Sequence, residues 1–254
     1  MKASPLAACV RLTAAAAIAL PVATLLAASA QAQDISINFG QGTGLSERAI
    51  QLIALLTVLS LAPSILVMMT SFTRIVVVLS LLRTALGTAT APPNAVIVSL
   101  ALFLTAFVMG PAFQRAYDVG IRPLINNEVT TEQAFERSSE PFRVFMLKNV
   151  REKDLQLFAN LSREKPPEQP QDLSMRILVP AFMISELKRA FEIGFLLFLP
   201  FLIIDLVVAS VLMSMGMMML PPVAVSLPFK LIFFVLVDGW SLVAGSLVQS
   251  YGGS

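Results

Sequence analysis

The last two apolar segments of the chain are joined by the sequence Met213-Ser214-Met215-Gly216-Met217-Met218-Met219-Leu220-Pro221-Pro222. Two consecutive prolines end a helix, because proline lacks an amide hydrogen and restricts the residue before it. The stretch therefore predicts a helical hairpin with a methionine-rich turn. Its five methionines have flexible thioether side chains, which adapt to changing surfaces and specify a single packing poorly. This composition indicates either the soft lining of a pore that must close or a methionine-rich helix end in lipid.

The composition around this turn is that of a membrane protein. Of the 254 residues, 56% are hydrophobic and 13% are charged, whereas a soluble domain has roughly 25% charged residues. The net charge of +2 gives no indication of a polyanionic partner such as nucleic acid. The chain has no histidine, and its single cysteine, Cys9, lies near the N-terminus. We therefore expect no enzyme activity, no metal site and no cofactor.

The first 32 residues have the features of a cleavable secretory signal peptide. Lys2 and Arg11 precede an apolar run that ends in small residues, which is the order of basic region, apolar region and cleavage site in such peptides. Cleavage after Ala30 or Ala32 would leave residues 33–48 as a polar N-terminal tail outside the bacterial inner membrane. An uncleaved first membrane helix is the alternative.

Two helical hairpins are predicted in the rest of the chain. The first covers residues 49–113, and the second covers residues 177–254 with the methionine-rich turn. The first contains the apolar segments 49–69 and 95–113, and the second contains 194–220 and 231–248. Each segment is long enough to cross a bilayer core of about 30 Å. The fold class is therefore all-α, with four nominal spans of a polytopic membrane protein.

The stretch between the hairpins, residues 114–176, is rich in both acidic and basic side chains and predicts a small, water-exposed helical domain. A capped helix start is predicted at Thr130 or Thr131. With the mature N-terminus outside, this domain is periplasmic, and the short turns that carry Arg83 and Lys230 face the cytoplasm. Basic residues in short cytoplasmic turns follow the positive-inside rule.

Ionisable residues inside apolar segments are rare and mark a path or a partner. Three explanations for them stay open: a proton or ion relay, pairing or hydrogen bonding inside an assembly, or segments that never lie fully in lipid. The ionisable residues near position 190 lie three or four residues apart, and this spacing allows ion pairs along one helix. The residues concerned lie inside the segments or at the edge of the second hairpin: Arg74, Glu186, Lys188, Arg189, Glu192, Asp205 and Asp238.

Several runs of this sequence resemble the signature of the flagellar biosynthetic protein FliP family. The resemblance extends over about residues 45–251. The runs that carry it are 69–83 (MTSFTRIVVVLSLLR), 191–195 (FEIGF), 199–207 (LPFLIIDLV), 217–222 (MMMLPP), 227–231 (LPFKL) and 237–240 (VDGW).

The resemblance implies a core subunit of the flagellar type III export gate, in the inner membrane at the flagellar basal body. Members of that family form a pentameric ring that joins FliQ and FliR around a central channel. They work with other export-apparatus proteins and pass unfolded flagellar substrates. Their helical hairpins form a cone largely above the membrane plane. The family's methionine-rich constriction corresponds here to Met217, Met218 and Met219, with Met213 and Met215 nearby.

Three other functions remain as alternatives. The related injectisome SctR proteins share the core, although the leader of residues 1–32 favours the flagellar version. A small ion-coupled transporter would work through Asp205 and Asp238, and it would contain internal repeats with paired broken helices, which the sequence does not display. An assembly scaffold would never contact the exported substrate.

Overall fold

The computed structural model describes residues 45–88, 90–162, 173–217 and 219–252. These ranges form α-helices, without a strand, so the predicted all-α fold is confirmed. A π-helical segment, Tyr117–Ile121, joins the third helix to the fourth. The helices are α1 (Leu45–Met68), α2 (Phe72–Ala85), α3 (Asn94–Ala116), α4 (Arg122–Ile125), α5 (Thr131–Asn149), α6 (Glu152–Ser162), α7 (Met175–Ser214), α8 (Pro222–Leu236) and α9 (Gly239–Gly252).

Residues 55–254 form one compact unit, and residues 1–54 form another, in which the structure describes only the start of α1. The predicted signal peptide and most of the predicted tail lie outside the described residues, as does Met218. Helix α1 begins at Leu45, slightly before the predicted start of the first hairpin at residue 49.

Helix α7 is the longest element and runs without interruption through the charged edge of the second hairpin. Its 40 residues correspond to about 60 Å, because a helix rises 1.5 Å per residue. A bilayer core is only about 30 Å thick, so a helix of this length passes well beyond it unless it is steeply tilted. Charged side chains near the start of α7 therefore need not lie in lipid.

The main hydrophobic core surrounds α2. Ile75, Val78, Leu79 and Leu82 recur at helical spacing and are almost fully buried against α3, α7, α8 and α9. Gly194 of α7 lies directly against Leu81 of α2, since a Cβ atom added there would lie 2.3 Å from Leu81 Cδ1 and would displace that side chain. The segment that the family resemblance singles out is thus the buried centre of the fold.

The polar stretch forms α5 and α6, as its composition predicts. Thr130 caps α5 in a capping box. The Gln133 amide donates to the Thr130 hydroxyl oxygen, and the Thr130 amide donates to the side-chain oxygen of Gln133, each at 3.3 Å. Apolar side chains of the polar stretch, such as Met146 of α5, pack on Leu178 and Phe182 of α7. The polar stretch therefore shares its hydrophobic core with the second hairpin.

Two described helices are long and apolar enough to cross a membrane: the continuous stretch Asn94–Ile125 and α7. Helices α8 and α9 would make a third span if counted together, although they meet at a bend of 64°. The first predicted span, residues 49–69, is not among those found in the described part of the chain. The described structure thus supports two or three spans, compared with four in the prediction.

The bend lies within residues 231–248, which the sequence predicts as one segment. Asp238 adopts the left-handed backbone conformation, with φ of 50°, and this stops the helix. Gly239 follows against the ring of Phe234, where an added Cβ would lie 2.1 Å from Phe234 Cε2. The break therefore requires a residue without a side chain, and Asp238 lies at the bend rather than inside a helix.

Candidate functional site

The methionine turn, defined as residues 213–222, is shaped by backbone hydrogen bonds. Gly216 takes φ of +73°, which glycine adopts without steric cost. Its amide donates to the Met213 carbonyl at 3.1 Å, and the Met217 amide donates to the Leu212 carbonyl at 3.0 Å. This pair of bonds is a Schellman motif, a common helix ending. It folds the chain back over the last turn of α7 before Pro222 starts α8.

The described methionines of this turn lie on the surface of the chain. Met213 is 58% exposed, Met215 61%, Met217 43% and Met219 99%. In contrast, Met109 and Met146 are completely buried. The chain therefore does not use the methionines of the turn to build its own core, and they are free to contact another surface.

A buried ion pair joins the two hairpins. Arg74 of α2 and Glu186 of α7 form two parallel bonds, of which Arg74 Nε to Glu186 Oε2 measures 2.9 Å. Tyr251 of α9 donates its hydroxyl hydrogen to the same carboxylate, and its ring centre lies 3.8 Å from Arg74 Cζ. The Ser250 hydroxyl accepts from Arg74 at 3.0 Å. Both charges are therefore extensively satisfied without water.

A second ion pair connects α7 to α8, with one partner before the methionine turn and the other after it. Lys230 Nζ lies 2.7 Å from Asp205 Oδ2 and 3.1 Å from the Ala85 carbonyl at the end of α2. The Ser226 hydroxyl donates to the other oxygen of Asp205. The lysine is 3% exposed, so it acts as a buried cross-link among three helices.

Sequence reasoning missed these partners of Asp205. From the sequence, Lys230 is predicted only to lie in a cytoplasmic turn, and no role is predicted for Ser226. A signal was nevertheless present, because the two residues are four apart and so share one face of a helix. In an antiparallel hairpin that face meets the preceding helix, where Asp205 lies.

The remaining predicted charges do not join either pair. Lys188 and Glu192 form the expected ion pair along α7, at 3.8 Å and largely exposed. Arg189 is half-buried, and Asp238 is exposed at the bend. Within the described ranges, no group of three or more histidine, cysteine, aspartate or glutamate side chains is placed to hold a metal ion.

A third polar cluster fixes the start of α6 to α7. The Asp154 carboxylate accepts from Arg151 Nε at 2.8 Å and from the Ser185 hydroxyl at 2.7 Å, and the Ser185 oxygen accepts from the Arg151 amide at 3.0 Å. Burial raises the pKa of Asp154, but the bonds from Ser185 and Arg151 outweigh it and hold the pKa below its ordinary value of 3.8. The ionised carboxylate is thus the form that the fold stabilises.

The Asp154 cluster predicts acid-sensitive anchoring of α6. The pKa of Asp154 is lower in the folded state than in the unfolded state. The ionised carboxylate therefore contributes fully to stability at any pH above its unfolded-state pKa of about 3.9. This contribution is lost as the pH falls through the folded-state pKa. We expect Asp154→Ala to destabilise this anchoring at neutral pH by about 1–3 kcal/mol. Hydrogen–deuterium exchange of the α6 amides would show faster exchange in the variant and less change on acidification. Glu152→Ala, at an exposed position of the same helix, is the matched control, and equal exchange in both variants would contradict the prediction.

A comparison with known proteins shows the family of this chain. A family model described as the FliP family matches residues 55–247, which contain both buried ion pairs and the methionine turn. The chain belongs to the FliP family. The resemblance drawn from its sequence runs is thereby confirmed.

Curated FliP relatives cover most of the chain. The flagellar biosynthetic protein FliP of Caulobacter vibrioides is 63% identical over 89% of this chain and 86% of its own length. That of Rhizobium meliloti is 57% identical over 80% of this chain and 83% of its own. That of Bacillus subtilis is 55% identical over 80% and 91%. Together with the apolar helices, this membership makes the chain a membrane-associated flagellar biosynthesis protein.

Proposed function

We propose that this FliP-family chain is a core, channel-forming subunit of the flagellar type III protein export gate. In this role it passes unfolded flagellar substrates across the bacterial inner membrane, as a multi-pass protein at the flagellar basal body. The observation that carries the proposal is the exposed methionine turn at the end of the second hairpin. Flexible apolar side chains that lie outside the chain's own core suit a surface that must seal and then adapt to passing polypeptide.

The proposed assembly is a pentameric ring that contains FliQ and FliR and contacts other export-apparatus proteins. Large apolar side chains on the outer faces of α3 and α7 support it, because they need lipid or another subunit as a neighbour. Phe103 and Phe107 are 75% and 72% exposed, and Phe195 and Leu196 are each 64% exposed. A closed ring needs several chains, so the proposed seal requires methionine turns from several copies around one axis.

The seal is tested by replacing Met217, Met218 and Met219 with alanine. Shorter side chains would leave the constriction too wide to exclude water and ions, since a hydrophobic gate depends on a narrow, dewetted bore. We expect ion leak across the inner membrane to rise in cells that express the variant, with altered secretion of flagellar substrates. A membrane-potential dye and an assay of secreted flagellar proteins measure the two effects.

The matched control replaces the same three methionines with leucine, which keeps their volume and apolar character. This variant should remain ion-tight, although a stiffer seal would reduce export. If the alanine variant assembles normally and neither leaks nor changes secretion, the methionine turn is not the seal.

The alternative functions have less support. The curated relatives described above are named as flagellar biosynthetic proteins, which favours the flagellar gate over an injectisome subunit. The transporter hypothesis needs Asp205 and Asp238 to exchange an ion or proton, but Asp205 is ion-paired to Lys230 and Asp238 lies exposed at the α8–α9 bend. Crosslinking from position 218 to a stalled export substrate would distinguish a gate from a scaffold.

A further inference from the structure

Helix α9 is attached to the rest of the chain by a narrow contact. Its buried apolar side chains, Val243, Leu247 and Tyr251, lie four residues apart and form one stripe along the helix. Leu242 is 58% exposed, and a Cβ atom added at Gly245 would meet nothing within 4 Å. The helix therefore lies on the surface of the core and does not run through it.

The start of α9 packs incompletely on α2 and α3. Trp240 is 44% exposed, and it lines an apolar pocket of about 140 Å³ with side chains of these two helices and of the turn between them. A space of this kind lacks the dispersion contacts that a close-packed interface has. The other side chains that line the pocket are Leu79, Pro92, Val96, Ile97 and Leu100.

The bend before α9 has the geometry of a hinge. Asp238 adopts the left-handed backbone conformation, with φ of 50°, which costs free energy for an aspartate. Its amide donates to the Val235 carbonyl of α8, and its carbonyl accepts from the Leu242 amide of α9, each at 3.1 Å. Because the amide belongs to α8 and the carbonyl to α9, rotation about φ and ψ of Asp238 changes the 64° angle between the helices and keeps both bonds.

The far end of α9 is held by the ion pair that joins the two hairpins. The Tyr251 hydroxyl donates to the Glu186 carboxylate, and it is also 3.3 Å from the Ser71 carbonyl oxygen. The Tyr251 ring is stacked on Phe145 of α5, with ring centres 5.7 Å apart, and its other contact is the Arg74 guanidinium at 3.8 Å. A single side chain in the last turn of α9 thus contacts α2, α5 and α7.

We propose that α9 is a hinged strap, which turns about Asp238 and is held closed by Tyr251 at its far end. The closed strap covers α2 and the buried ion pair. When the contacts of Tyr251 open, α9 moves away from α2 and α3, while the second ion pair keeps α7 and α8 together. The second hairpin therefore has one movable helix beside a fixed pair.

Hydrogen–deuterium exchange of the full-length protein in detergent micelles tests the strap with Tyr251→Phe. This substitution keeps the aromatic ring and removes the hydroxyl that binds Glu186. Loss of a hydrogen bond to a charged group shifts a local opening equilibrium about tenfold or more. We therefore expect the amides of α9 to exchange about tenfold faster, while those of α2 and α7 exchange as in the wild type.

The matched control is Gln249→Ala, at an exposed position in the same turn as Tyr251, which should exchange as the wild type does. Unchanged exchange of the α9 amides in Tyr251→Phe would overturn the proposal. Equally faster exchange in α2, α7 and α9 would overturn it too, because Tyr251 would then stabilise the whole core and not a strap that opens alone.

The movement is measured by double electron–electron resonance between two spin labels. The sequence has one cysteine, Cys9, so Cys9→Ser gives a background for labels attached through Ser246→Cys on α9 and Ser99→Cys on α3, both exposed positions. We expect one distance in this background and a second, longer distance when Tyr251→Ala removes the ring and the hydroxyl together.

A single unchanged distance in Tyr251→Ala would refute the hinge. Should that variant fail to fold, the same measurement on Tyr251→Phe decides, with a small population at the longer distance expected and none contradicting the proposal. Neither experiment uses export or ion leak, so the strap and the proposed gate stand or fall separately.

Discussion

Replacing Glu186 with alanine will lower the free energy of unfolding by about 3–5 kcal/mol, the usual cost of removing one partner of a buried ion pair. The guanidinium of Arg74 is 1% exposed and would keep its charge without the carboxylate that balances it. The Tyr251 hydroxyl would lose the acceptor that it shares with Arg74. Because the cluster joins α2, α7 and α9, the variant should loosen both hairpins together.

The measurement is unfolding of the purified protein in mixed micelles of mild detergent and sodium dodecyl sulfate. The single tryptophan, Trp240, packs edge-on against Phe234 with ring centres 5.4 Å apart, so its fluorescence reports separation of α8 from α9. The matched control is Glu192→Ala, which removes an exposed partner of Lys188 and should cost less than about 1 kcal/mol.

A double variant separates the charge imbalance from the loss of packing. Arg74→Met with Glu186→Leu removes both charges and keeps most of the volume, and such replacements are often neutral or stabilising. We expect it to recover most of the stability that Glu186→Ala loses. If the single and double variants are equally unstable, the shape of the cluster matters and its charge does not.

The helix pattern was accessible from the sequence because it depends on local chemistry. The Pro221-Pro222 pair predicts the turn before α8, and Thr130 or Thr131 is the predicted start of α5. Helix α7, however, ends at Ser214, before the predicted end of that segment at residue 220. The break at Asp238 was not predicted, since a left-handed aspartate carries no strong local signal. It becomes understandable only when Gly239 is seen against the ring of Phe234.

The partners of the unusual charges were inaccessible for a different reason. Glu186 lies three residues before Arg189, so helical spacing favours a pair between them. The structure instead pairs Glu186 with Arg74, which is 112 positions away in sequence. This long-range pair depends on how α2 packs beside α7, and the hydrophobic periodicity of a single helix does not show which distant helix packs beside it.

The two buried pairs also bear on why these charges occur in apolar segments. Arg74 and Asp205 each find an opposite charge within the same chain, and each pair joins helices that would otherwise contact through interchangeable aliphatic side chains. Apolar faces can slide past one another by a helical turn, whereas an ion pair is satisfied at only one register. We infer that the pairs fix the register of the helices that hold the methionine turn, which is a role attested for buried polar groups elsewhere.

Asp205→Ala will destabilise the second hairpin more than Lys230→Met does, although both substitutions remove the same ion pair. Without Asp205, the ammonium group, with 4% of its side chain exposed, keeps only the Ala85 carbonyl as a partner, and we expect a loss of about 3–5 kcal/mol. Without Lys230, the carboxylate is 28% exposed and keeps the Ser226 hydroxyl, so the loss should be about 1–3 kcal/mol. Detergent unfolding followed by Trp240 fluorescence measures both, with Asp205→Ala plus Lys230→Met expected to lie close to Lys230→Met. Equal losses in the two single variants would contradict the predicted asymmetry, which rests on the deeper burial of the lysine than of the carboxylate.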